Sequence, residues 1–255
     1  MGTADLHIHS TYSPDATTTV RAILKQAADV HLDVIAVTDH DEIRGALEAC
    51  KLGYQYGVEV IPGVEVSTWE GHLLALFIEE VPPPHQSLID TLIFIGKAGG
   101  LAIAPHAFNG LPHSLNMESV VGALTNPQAK AVLKGIETHN MSTQIFGSTA
   151  QKLSIYLPLA KIASSDAHVY WAIGAGRTEF EGKTVQDLRR AIENNTTHPI
   201  PYEEEFSSKA IFSWVRRMAL RRFGYASDTR SATQPINTRR LSDSFIRRIK
   251  KNRQT

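Results

Sequence analysis

A closed or nearly closed α/β barrel is the fold this sequence predicts, on three observations. Short apolar runs alternate with helix-like segments, which is the pattern of parallel βα units. His, Asp and Glu residues cluster where those runs stop, and in such barrels chemistry gathers at the C-terminal strand ends. With 255 residues and 42% hydrophobic content, the chain can bury a large core.

The elements follow in order. Residues 4–9 read as a strand, 18–30 as a helix with Thr17 or Thr18 as N-cap, and 33–38 as a buried β-branched strand. Residues 43–56 are helical, with Gly57 as a stop. Strand-like runs at 58–61 and 64–67 flank Pro62-Gly63, and 72–78 is another buried strand. A helix over 86–98 ends at Gly99-Gly100, and a strand at 101–104 runs into Pro105-His106. Residues 117–124 and 129–133 are helical, then strands at 135–138 and 161–163 flank a helix over 144–156. A strand at 177–180 and a helix at 185–194 complete some seven units, with no internal repeat. Right-handed crossovers place the strand ends on one face. His72 begins its run, so that strand runs the other way or is placed differently.

Charge divides the chain. Residues 1–202 carry 13 Lys+Arg and 21 Asp+Glu, whereas residues 203–255 carry 13 and 5, so a net charge of zero hides an acidic part and a basic one. The expected organisation is a barrel at 1–202, an amphipathic helix packed on it within 203–223, and a basic flexible tail at 224–255. The apolar residues of that helix, among them Phe212, Trp214 and Met218, cluster on one side. The tail residues Leu241, Phe245 and Ile246 with their basic neighbours fit weak contact with nucleic acid or an anionic surface. No apolar run approaches the roughly 20 residues that span a bilayer. The lone Cys50 excludes an internal disulfide framework, and no secretory signal is visible, which favours the cytoplasm.

The ionisable clusters carry the chemistry. His7 and His9, like Asp166 and His168, are two apart, a spacing that turns both side chains of a strand to one face. With Asp15, His40, Glu65, His72 and His106 they make nine candidate ligands, too many for a mononuclear zinc site. Glu65 could bridge two ions through its two oxygens. Paired divalent ions stabilise the attacking and leaving oxygens in displacement at phosphorus.

Six motifs give the set an order: D-L-H-I-H-S at 5–10, T-D-H at 38–40, G-V-E at 63–65, G-H-L-L at 71–74, P-H at 105–106 and S-S-D-A-H at 164–168. In that order, spread over residues 3–180, they resemble the PHP (polymerase and histidinol phosphatase) superfamily. The resemblance implies a distorted (β/α)7 barrel with up to three metals at the C-terminal face of the strands. It implies that His7, His9, Glu65 and Asp166 hold one ion, that Glu65 bridges to a second held by His72 and His106, and that Asp15, His40 and His168 hold a third. The implied activity is that of a small stand-alone phosphoesterase, in which metal-bound hydroxide attacks a phosphomonoester. A phosphodiesterase or nuclease, and a non-catalytic metal-binding module, are the alternatives. Relatives that share T-D-H-D at 38–41 and act on nucleoside bisphosphates or RNA ends carry a helical insert that is missing between His72 and His106.

Asp39, Arg177 and His139 are the candidates for catalytic roles. Asp39 would orient His40, Arg177 would clamp a phosphate or form a barrel-end salt bridge, and His139 with Asn140 would face the substrate. Glu137 ends a strand within reach of the ligands, as a supporting or substrate-facing group. Trp69 would line the site or pack in its loop. His31, His85, His113 and His198 read as surface residues and Cys50 as a packed one. His and carboxylate ligands suit manganese, zinc or iron, two or three ions in all, and a small phosphorylated substrate.

Overall fold

The computed structural model describes residues 1–111, 113–140 and 149–200. The helix expected within 203–223 and the basic tail lie outside the described residues, as does the start of the helix expected over 144–156.

Among the described residues, nine strands form one sheet in the order β7-β6-β5-β4-β3-β2-β1-β8-β9. They are β1 (Gly2–Ile8), β2 (Val34–Val37), β3 (Glu59–Ser67), β4 (His72–Leu76), β5 (Leu101–Ala104), β6 (Leu133–His139), β7 (Ala160–Ala163), β8 (Arg177–Phe180) and β9 (His198–Ile200). Strands β1, β2 and β3 pair in parallel, as do β5, β6 and β7. β4 runs antiparallel to both β3 and β5, which is how a strand that begins with His72 still delivers it to the functional face. β8 runs antiparallel to β1, and β9 antiparallel to β8. The sheet curls until its ends meet. Thr178 on β8 donates from Oγ1 to the Ala163 carbonyl on β7 and accepts from its N–H, and Ile8 bridges in parallel to Ala167 just past β7. The result is a mostly closed, distorted barrel of mixed strands, as expected in class.

At two places, as the sequence predicts, strand follows strand without an α-helix between them. β3 turns directly into β4, and only the 3-10 turn Tyr170–Ala172 lies between β7 and β8. Pro62-Gly63 does not break β3. The strand pairs with β2 up to Pro62 and with β4 from Gly63 onward, so the imino residue sits where the partner changes.

The helices are α1 (Val20–Asp29), α2 (Arg44–Leu52), α3 (Leu88–Lys97), α4 (Met117–Thr125), α5 (Pro127–Val132), α6 (Thr149–Ser154) and α7 (Val185–Glu193). Thr19 caps α1, not Thr17 or Thr18. Thr17 and Thr18 are engaged elsewhere, because Thr17 N–H donates to the His168 carbonyl and Thr11 N–H to that of Thr18. Ser87 caps α3, and a Thr184–Asp187 capping box starts α7.

Two apolar layers hold the barrel. The inner one joins Ala4, Leu6, Ala36, Leu74 and Ile103, and Leu188 and Ile192 of α7 pack onto it. The outer one packs Ile35, Val37, Leu73, Ala75 and Ile136 against residues of α1 to α5. Alternation along strands such as β2, β4 and β5 therefore buries both faces. Among the described residues, no helix is long and apolar enough to cross a membrane.

Candidate metal centre

A change of phase in β1 creates the first ligand pair. The β1–β2 register shifts between Asp5 and Ile8, so Leu6 packs inside the barrel while Ile8 joins the outer layer. His7 and His9 are fully buried, with ring centroids 5.0 Å apart. The loop after β1 supplies Asp15, the residues after β2 supply His40, and His40 bridges to Glu65 on β3. His72 opens β4 opposite Ser67. His106 follows β5, and Asp166 and His168 follow β7.

Glu65 is the hub. Its Oε2 lies 3.2 Å from His7 Nε2, 3.3 Å from His9 Nε2 and 3.1 Å from His40 Nδ1. Its Oε1 lies 3.0 Å from both His72 Nδ1 and His106 Nε2. Asp166 Oδ1 is 3.4 Å from His7 Nε2 and 3.5 Å from His9 Nε2. Asp15 Oδ2 is 3.1 Å from His40 Nε2 and from His168 Nε2. All nine candidate ligands thus meet. Three overlapping groups each present ligand atoms within 4.8 Å of one another: His7, His9 and Asp166; His40, Glu65 and His72; and His9, Asp15, His40 and His168.

These residues fit divalent ions on an observation independent of the motifs. His7 Nε2, His9 Nε2, Glu65 Oε2 and Asp15 Oδ1 are buried without a hydrogen-bond partner, although His7 Nε2 and Glu65 Oε2 are close neighbours. Lone pairs that converge without aligning as donor and acceptor are what shared coordination demands, and buried orphans of this kind are otherwise costly. Charge tells the same story. Burial works against the charged form of His40, but the Glu65 charge and the Asp15 hydrogen bond raise its pKa to about 9. Against burial, the charges of His7, His72 and His40 hold Glu65 well below the usual carboxylate range. Asp166 is likewise lowered against burial, chiefly by His7.

A layer of supporting groups surrounds the ligands. Glu137 is fully buried and places Oε1 3.0 Å from His7 Nδ1, so it supports a ligand and stands outside the three groups. Ser13 Oγ lies 3.2 Å from His9 Nδ1 and accepts the His40 N–H at 2.9 Å. His168 Nδ1 lies 3.0 Å from the Asp166 carbonyl oxygen, which leaves Nε2 for Asp15. The Asp39 carboxylate accepts the Ser10 N–H at 2.6 Å and its hydroxyl at 2.7 Å, anchoring the loop that carries Asp15. The next acid, Asp41, grips the Ser67 N–H and hydroxyl in the same way. Asp5 accepts backbone N–H groups from Ser165 and Gly174, tying β1 to the segment with Asp166 and His168.

His139 is half-buried at the end of β6 beside Thr138 Oγ1, and burial lowers its pKa. Arg177 opens β8 opposite Ile200, one residue before the partner of Ala4. Trp69 stands at the β3–β4 turn and is largely exposed. His31, His85 and His198 are exposed, as expected. His113 is exposed too, but its ring stacks on His72 at 4.7 Å. Residue type alone did not single out Ser13, Asp5 or His113. The only signal for Ser13 is its place between His9 and Asp15.

A family model described as the PHP domain matches residues 5–139, and one described as PHP-associated matches residues 148–197. The chain belongs to the PHP domain family. An uncharacterised protein of Methanocaldococcus jannaschii is 42% identical over 122 residues, which is 44% of this chain and 71% of that protein. The phosphoribosyl 1,2-cyclic phosphate 1,2-diphosphodiesterase of Eggerthella lenta is 40% identical over 90 residues, covering 33% of this chain and only 34% of the enzyme. Among solved structures, a two-domain Bacteroides vulgatus protein containing a predicted PHP-like metal-dependent phosphoesterase superposes with a TM-score of 0.66 at 18% identity, over 84% of this chain and 69% of that one. At that identity the likeness speaks to fold. Family, fold and ligand cluster agree on a metal-dependent phosphoesterase site.

Proposed function

We propose that this PHP-family protein hydrolyses a phosphomonoester with two or three divalent ions, and that the convergence of buried ligands on Glu65 carries the reading. His7, His9, Asp166 and Glu65 Oε2 would hold one ion. His72, His106 and Glu65 Oε1 would hold the second, and Asp15, His40 and His168 the third. Ions in such a site act as Lewis acids on phosphoryl oxygens and make a coordinated water acidic enough to serve as nucleophile near neutral pH. A monoester dianion suits several cations close together. The protein's own part is positional. Glu137 keeps the His7 Nδ1 proton turned away from the ions, and Ser13 does the same for His9. Asp39 acts through Ser10 on the Asp15 loop. His139, half-buried at the end of β6, is assigned to contact with the substrate. Arg177 has no role in this reading. Manganese, zinc or iron fits the donor set, and the lone Cys50 supports a cytoplasmic setting.

One observation favours a second reading, cleavage of a phosphodiester, because the Eggerthella lenta relative is named for that reaction. One panel separates them: an aryl phosphate, an aryl phosphodiester, nucleotides and sugar phosphates, offered to manganese-, zinc- and iron-loaded protein beside a His7→Ala/His9→Ala variant. Phosphate release from monoesters that vanishes in the variant is expected. Preference for the diester moves the assignment to the second reading. Ions bound without turnover on any ester overturns both.

A further inference from the structure

We propose that Glu137 is a positioning residue that ties two ion sites to each other, so that they fill cooperatively. The inference rests on the reading that the cluster holds divalent ions, and it concerns a residue outside the ligand set. Glu137 lies near the end of β6, where the register with β7 shifts between Glu137 and His139. Its two oxygens serve two different ligands. Oε1 is 3.0 Å from His7 Nδ1, and Oε2 accepts the His106 backbone N–H at 2.9 Å. Oε2 also accepts from Asn140 Nδ2 at 2.7 Å, which fixes the carboxylate plane.

The two ends do different work. At His7, accepting the Nδ1 proton leaves the Nε2 lone pair for the group with Asp166 and Glu65. At His106, the issue is the backbone. His106 has φ +31°, a conformation that costs a non-glycine residue energy and persists only when its surroundings hold it. Glu137 holds its N–H, and Ser114 Oγ donates to its carbonyl at 2.9 Å. So held, His106 places Nε2 3.0 Å from Glu65 Oε1, on the side away from the His7 group. An ion on His7 Nε2 favours the Nδ1 proton that Glu137 Oε1 accepts, and the same carboxylate holds the N–H of the strained His106, so filling one site favours the geometry of the other.

Glu137→Gln keeps the shape and breaks this logic. A carboxamide offers one oxygen. If that oxygen takes the His106 N–H, the NH2 group meets His7 Nδ1 and drives its proton to Nε2, the ligating atom. If the amide is flipped, NH2 faces two N–H donors. Neither orientation serves both ligands. The test is calorimetric titration of chelator-stripped protein with zinc, for wild type, Glu137→Gln and Glu137→Ala, with melting curves of the stripped proteins as the control for folding. Wild type is expected to bind at least two ions cooperatively. Glu137→Gln is expected to melt near wild type, to lose about 10–100-fold in affinity at two ions together, and to lose the cooperativity. Nitrogen-15 spectra of the zinc-loaded proteins should show His7 protonated at Nδ1 in wild type and not in Glu137→Gln, a signature that a merely structural role would not move. Unchanged affinities, or loss of one ion with the other intact, overturns the coupling. Wild type that binds no zinc, manganese or iron overturns the phosphoesterase reading itself, and is seen without any variant.

Discussion

Asp5 offers a test of the site's foundations that involves no ligand residue. Its carboxylate is fully buried, with Oδ1 accepting from Ser165 N at 2.9 Å and His7 N at 3.4 Å, and Oδ2 from Gly174 N at 2.8 Å. Burial raises its pKa from 3.8 to about 6, and the hydrogen bonds from Ser165, Gly174 and His7 offset only part of that rise. Between those values the folded chain keeps a proton that the unfolded chain has released. Folding stability therefore falls as pH climbs through the window, and the loss is complete above the folded pKa. The full rise corresponds to about 3 kcal/mol, of which about 2 kcal/mol falls between pH 4.5 and 7.5. Asp5→Asn removes the titration and adds a fixed cost of about 1–3 kcal/mol, because one buried backbone N–H then faces an amide NH2. Urea unfolding of chelator-treated wild type and Asp5→Asn across that range reads the difference. The wild-type advantage should be largest at pH 4.5 and shrink by about 2 kcal/mol by pH 7.5. An advantage that is constant, or that grows with pH, refutes the reasoning.

Two further outcomes follow from the same structure. At Gly45 in α2, an added Cβ would overlap Asp39 Oδ2 and come within 2.7 Å of Ser10 Oγ. Gly45→Ala should therefore cost about 1–3 kcal/mol in denaturant unfolding despite alanine's better helix propensity, and weaken ion binding by releasing the Asp15 loop. Chelation should lower the melting temperature, since an ion at 100 times its Kd stabilises by about 2.7 kcal/mol, or roughly 5–11 °C for a domain near 200 residues. An unchanged melting curve with and without chelator would contradict the assignment of the buried orphans to ions.

The ligands were legible because ionisable side chains at the ends of apolar runs are conspicuous, and the i, i+2 spacing of His7 and His9 carries its own geometry. Strands such as β5 and β8 were legible because each is a short run with clear stops. What escaped was set by distance along the chain or by neighbours. β3 reads as two runs because Pro62 interrupts the pattern, whereas the interruption falls where β3 changes partner. β9 is three residues with a central proline, too short to show a period. Asp39, adjacent to His40 in sequence, serves Ser10, 29 residues earlier. Glu137 is legible as a supporting group from its strand end, but its partner His7, 130 residues away, is not, and Asp5 reaches Ser165 across 160, contacts that leave no local trace.

The most direct measurement pairs metal content with turnover on one sample. Protein loaded stepwise with manganese would be assayed for bound ions by elemental analysis and for phosphate release from an aryl phosphate. The structure predicts two or three ions per chain, phosphate release that rises with occupancy, and, in Glu65→Ala, loss of phosphate release together with the two ions assigned to Glu65, since Glu65 touches five of the eight other ligand candidates. Wild-type occupancy in Glu65→Ala, or full occupancy without release of phosphate from any ester, would contradict it.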